Sequence, residues 1–165
     1  MILTIIDDSG ILGLLDCAAY SSFVREDWEY PQMLRHFRDQ ADRKTMLVWD
    51  AGDGGNQYRI AIRQGLSGIA GHRAATGSVR VTQGALHIAS YTALTMAAQY
   101  ANQPLPASHE KEAVIEIGNG DYVVRVVQMY DPDSIADWDE ESPHFLIEMA
   151  PGNMDTSQNV AWFLD

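Results

Sequence analysis

Cysteine is nearly missing from this chain: Cys17 is the only one in 165 residues. No intrachain disulfide can form, and a cysteine-based zinc site is excluded. Cys17 sits in Leu14-Leu15-Asp16-Cys17-Ala18-Ala19, where no positive charge favours the thiolate, so a buried, inert thiol and a reducing compartment are expected. Long apolar runs are missing as well. Nothing approaches the ~20 residues of a membrane-spanning helix, because Asp7, Asp8 and Asp16 interrupt even the apolar N-terminal stretch. Met1–Leu15 also lacks the positive start and small-residue cleavage site of a secretory signal, which points to the cytoplasm. Basic side chains are few: 11 lysines and arginines face 23 acids, a net charge of −12. Binding a polyanion needs a basic face, so the charge speaks against nucleic acid as a direct partner.

The signatures of catalysis and of cofactor binding are wanting too. His36, His72, His87, His109 and His144 show no His-Glu-x-x-His spacing, and there is no Gly-x-Ser-x-Gly elbow. A hydrolase would need His87 or His144 beside carboxylates in a deep pocket. The glycine-rich run Asp50-Ala51-Gly52-Asp53-Gly54-Gly55-Asn56 lacks the Gly-Lys-Ser/Thr ending of a phosphate loop and leads into a strand, so it reads as a turn. No cofactor and no metal are expected.

The segments that remain describe a β-rich domain. A length of 165 residues suits one domain, and 46% apolar residues against 21% charged ones argue for a folded core. From Pro31 to Lys44, Met33, Leu34, Phe37 and Ala41 recur at three-to-four spacing, which predicts one amphipathic helix. Elsewhere the period is that of strands. Leu3–Ile6 and Ile11–Leu15 flank the turn Asp7-Asp8-Ser9-Gly10; Thr45–Asp50 and Gln57–Arg63 flank the glycine run; Ser78–Thr82 and Leu86–Tyr91 flank Gln83-Gly84-Ala85; Ala113–Ile117 and Tyr122–Tyr130 flank Gly118-Asn119-Gly120-Asp121. A last strand is expected at His144–Met149. Short strands joined by turn chemistry predict an antiparallel β-sandwich or partly open barrel of successive hairpins, mainly β and α+β at the margin.

The acids are unevenly placed. Residues 1–55 hold 5 basic and 10 acidic side chains, residues 56–110 hold 4 and 1, and residues 111–165 hold 2 and 12. The densest stretch is the loop between the last two strands, which contains Asp131, Asp133, Asp137, Trp138, Asp139, Glu140 and Glu141 and no base. Ile135 and Ala136 stand where a calcium loop needs an oxygen ligand and a glycine, so that reading fails. A solvated loop is one expectation, since like charges repel. The other is a docking surface for a basic partner, with Trp138 as anchor and Tyr130 and Ile135 extending the patch.

The run Gly118-Asn119-Gly120-Asp121-Tyr122-Val123-Val124-Arg125-Val126, with Leu86-His87-Ile88-Ala89-Ser90 before it and Phe145-Leu146-Ile147-Glu148 after the acidic loop, resembles two groups of small bacterial proteins. One is the competence protein J nuclease inhibitors; the other is the immunity proteins that protect bacteria from their own secreted toxins. The likeness lies mainly in residues 86–149. It implies a non-catalytic intracellular protein that binds a toxin or nuclease, with a ligand-binding or structural sandwich domain and a hydrolase as the alternatives.

Overall fold

The computed structural model describes residues 1–52, 56–139, 141–155 and 158–163, without the side chains of Asn56, Ala136 and Asp137. It holds ten strands: Ile2–Asp7 (β1), Ile11–Leu15 (β2), Met46–Asp50 (β3), Asn56–Gln64 (β4), Arg73–Val81 (β5), Ala85–Ser90 (β6), Val114–Glu116 (β7), Gly120–Gln128 (β8), Phe145–Pro151 (β9) and Val160–Ala161 (β10). Two helices, Tyr30–Asp42 (α1) and Tyr91–Gln99 (α2), complete the regular structure with a short 3-10 turn at Pro132–Asp137. The strands form two five-stranded sheets in the orders β1-β4-β9-β8-β5 and β10-β3-β2-β6-β7. Among the described residues the fold is mostly β with two helices and no closed barrel.

The expected strands are present, but their pairing is not that of hairpins. Each short turn carries the chain from one sheet to the other: β1 and β2 lie in different sheets, as do β3 and β4, β5 and β6, and β7 and β8. Nor are the sheets purely antiparallel, because β4 pairs with β9 and β10 with β3 in parallel. Turn residues mark where a chain reverses, not which strand it then joins, so the hairpin reading failed on partner choice. Most of the glycine run's tip, Asp53–Gly55, lies outside the described residues.

The two sheets enclose one core, with Leu12, Leu14, Leu47, Trp49, Ile88, Tyr58, Ile60, Val124, Phe145 and Ile147 between them. Alternate residues of the second sheet, among them Leu15, Met46, Val48 and Ala89, face the other way and pack under Met33 and Phe37 of α1 and Leu94 of α2. Being covered on both faces, β2 and β3 read as unbroken apolar runs. Helix α1 starts one residue before Pro31, where the Glu29 amide donates to Gln32 Oε1 at 2.9 Å, and stops at Asp42 because Lys44 takes φ +60°. Helix α2 was not expected: its Ala-rich sequence follows β6 without a break, and only Ser90, whose Oγ accepts from the Ala93 amide at 3.3 Å, announces it.

The first sheet's outer face is crossed by residues 65–72, which link β4 to β5 over β9 and β8. The Gly65 and His72 amides donate to Met149 and Gln128 carbonyls at 2.7 and 2.8 Å. Beneath this strap Glu148, 0% exposed, takes Arg125 at 2.9 Å and accepts from the Ser67 amide and hydroxyl. Arg125 in turn donates to the Ile69 carbonyl at 2.8 Å.

Candidate functional site: an acidic end of the sandwich

Two sheet-switching turns and the loop that joins β8 to β9 meet at one end of the molecule. The Ala51 amide donates to the Gly10 carbonyl at 2.5 Å, and a Cβ on Gly10 would lie 2.0 Å from the Gly52 oxygen. A Cβ on Gly52, at φ +92°, would in turn stand 2.7 Å from Pro132 Cβ. Both positions therefore need glycine, and through them the turns at 7–10 and 50–52 abut the 131–139 loop.

Asp7 anchors this end from within. It is buried, and its Oδ2 accepts from the Ser9, Gly10 and Ile11 amides while Oδ1 accepts from Tyr91 at the start of α2. Burial raises its pKa against those donors. Asp8, next in the chain, is exposed and reaches Thr92 Oγ1 at 3.2 Å. Asp50 is half-buried and accepts from the Gly52 amide at 2.7 Å.

The expected site residues divide sharply. Asp131, Asp133, Asp139 and Glu141 are exposed. Asp131 accepts from the Asp133 amide at 3.0 Å; Asp139 accepts from the Glu141 amide at 3.1 Å and the Ser142 hydroxyl at 2.8 Å. Those donors hold the Asp139 carboxyl below its ordinary range. Glu141 meets Arg59 at 3.7 Å, an exposed pair worth little in stability. The Asp137 side chain and Glu140 lie outside the described residues.

The aromatic part of the expected patch turns inward. Tyr130 is 1% exposed and donates to the Ala51 carbonyl at 2.8 Å, so it braces the loop from inside and cannot extend its outer face. Tyr130 lies two residues past β8, in phase with the buried Val124, Val126 and Gln128, and that period of two points it to the core. Ile135 also packs on the core. Trp138 is half-buried, with its ring 6.3 Å from that of Tyr130 and its Nε1 buried without a partner. It pins the loop and leaves part of the indole at the surface.

His144 closes the loop at the other side. Its Nδ1 accepts from the Arg59 amide at 3.1 Å, and its ring stands edge-on to Tyr58 and Tyr130 at 5.6 and 5.4 Å. Burial and Arg59 lower its pKa, which keeps the imidazole neutral with Nδ1 as acceptor. Arg73 is tied down here: it donates to Asp50 O at 2.8 Å and Gln128 at 2.6 Å and lies 4.3 Å over the Trp162 ring.

His87, the other histidine a hydrolase reading would use, lies in the second sheet and lines a shallow depression with Asp16 and Cys17. Asp16 there is taken by the Ala18 amide and by both donors of Thr82, and burial pushes the Cys17 thiol up to about 12. Among the described residues no group of three His, Cys, Asp or Glu is placed to hold a metal ion, and no helix is long and apolar enough to cross a membrane.

The sequence matches no family model and no curated protein. Two solved structures share the fold. One is described as "Crocagin biosynthetic gene J", with TM-score 0.60 and 12% identity over 93% of this chain and 98% of that one. The other is ComJ of Bacillus subtilis, described as an inhibitor of the DNA-degrading activity of NucA, with TM-score 0.50 and 12% identity over 92% and 96%. The likeness to ComJ agrees with the resemblance read from residues 86–149 and extends it to nearly the whole chain.

Proposed function

We propose that this chain is a single-domain, non-catalytic inhibitor of the immunity type, which acts in the bacterial cytoplasm by docking its acidic end onto a basic nuclease or toxin. The observation that carries this reading is the convergence of Asp8, Asp50, Asp131, Asp133, Asp139 and Glu141 from three turns onto one end, where the nearby cations Arg59 and Arg73 are already engaged. A nuclease surface built for phosphates is basic, and a field of carboxylates on braced turns occupies it with fast, salt-sensitive association. Trp138 supplies an aromatic anchor beside the acids. The shared fold with an inhibitor of a nuclease supports the same reading.

The test begins with the neighbouring gene, which is expected to encode a basic secreted nuclease or toxin. Its purified product, assayed on DNA or on its own substrate, should lose activity on addition of about one equivalent of this chain. A neighbouring product that stays fully active at a tenfold excess, or the lack of any such gene, contradicts the proposal.

A further inference from the structure

Sheet edges expose unpaired backbone groups, and among the described residues three of the four edges here are guarded. Strand β5 is covered by the C-terminal segment and by the turn after α1: Gln158 donates to the Thr76 carbonyl at 2.9 Å, the Ser78 amide donates to Asn159 Oδ1 at 2.8 Å, and the Arg80 amide donates to the Lys44 carbonyl at 2.8 Å. Strands β10 and β7 are two and three residues long. Strand β1 has no such protection. It runs six residues in unbroken register against β4, with no proline, lysine or bulge.

Met1 and Ile62 exchange backbone hydrogen bonds, so Leu3, Ile5 and Asp7 turn their amides and carbonyls to β4. Ile2, Thr4 and Ile6 turn theirs outward, where no strand lies alongside among the described residues. Their side chains share the exposed face of the sheet, with Ile2 53% and Ile6 72% accessible.

We propose that β1 is a self-association edge: two copies of this chain pair β1 with β1 in antiparallel fashion about a two-fold axis at Thr4, which joins their first sheets into one sheet of ten strands. The sequence of the outward residues selects a second copy as occupant, because Ile-Thr-Ile reads the same from either end. In this register Ile2 of each copy lies opposite Ile6 of the other, Thr4 meets Thr4, and all six outward backbone groups of each strand find partners. A slip of one residue forfeits those pairs.

Charge does not oppose the pairing despite −12 on each copy. The outward face of β1 bears no charged residue, and Arg59, across from Thr4 on β4, already meets Glu141. At ~3.3 Å per residue, the two Asp8 side chains would stand about 26 Å apart, well beyond the ~8 Å screening length at physiological salt. Since the strands run oppositely, the two acidic ends point away from the axis. The interface therefore does not draw on the docking reading, and neither one's failure removes the other.

The experiment is sedimentation of the full chain alone from about 1 to 200 μM. The chain is expected to dimerise within that range. Ile6→Lys and Thr4→Pro are each expected to weaken dimerisation at least tenfold with unchanged circular dichroism, because the Thr4 amide makes no bond to β4. Thr4→Cys should form a disulfide-linked dimer on mild oxidation, since paired strands place these residues ~5.5 Å apart. A monomer across the whole range, a dimer indifferent to both edge variants, or a Thr4→Cys chain that fails to cross-link would overturn the proposal.

Discussion

Asn159 joins both sheets with one buried side chain: its Nδ2 donates to the Met46 and Ser78 carbonyls at 2.8 and 2.7 Å, and its Oδ1 accepts from the Ser78 amide at 2.8 Å. Gly77 makes room for it, because a Cβ there would lie 2.1 Å from Asn159 Oδ1 and 3.0 Å from Leu47 Cδ1. An amide held by three hydrogen bonds cannot swing aside. Gly77→Ala should therefore cost about 1–3 kcal/mol, read as a lower urea midpoint at unchanged m; an unshifted midpoint would show that the site relaxes freely. The same scale separates the acids by task. Asp7, Asp16 and Glu148 are buried and spent on amides, hydroxyls and a guanidinium, whereas Asp131, Asp133, Asp139 and Glu141 are exposed. A count of carboxylates sees no such division.

Among the elements, the strap over the first sheet offers a test with a definite sign. Burial raises the Glu148 carboxyl, but Ser67 and Arg125 more than offset it and leave its pKa below the ordinary value. A carboxylate with a depressed folded pKa stabilises above its unfolded pKa and loses that contribution as pH falls through the folded one. The strap should stay closed at neutral pH and loosen only below the usual glutamate range. Glu148→Gln should loosen it at pH 7, with amide exchange at residues 66–71 faster by about tenfold; unchanged exchange there would show that the backbone bonds at Gly65 and His72 suffice.

The same elements show what could be read from the chain. Strands and α1 were legible because their apolar periods survive in the fold: Met33, Leu34, Phe37 and Ala41 are all buried on α1. Pairing was not, since Asn119-Gly120 looks the same whether it closes a hairpin or passes the chain from β7 to β8 in another sheet. Helix α2 was hidden by alanines that carry little amphipathic contrast, and two-residue β10 is too short to show a period. The acidic loop was found by composition alone. Its union with the turns at Asp8 and Asp50 was not, because glycine contacts between distant segments leave no local pattern.

For the whole molecule, the separation of tasks gives the net charge a location. The middle third of the chain, which is net basic, supplies β4, β5 and the cations Arg59 and Arg73, while the first and last thirds bring their turns to the acidic end. A protein of −12 is repelled by most cellular polyanions, and that bias favours a basic partner before any contact forms. On the proposed function, the acidic end makes this encounter. The most direct measurement is the association rate with the neighbouring gene's product, taken from about 50 to 500 mM salt, for the native chain and for Asp131→Asn, Asp133→Asn, Asp139→Asn and Glu141→Gln combined. The amide replacements retain the acceptors that cap the loop's turns, so the fold is preserved. The native rate should fall steeply with salt, and the variant should associate at least tenfold more slowly at low salt with a flattened dependence. Equal rates and equal salt slopes for the two proteins would contradict the claim.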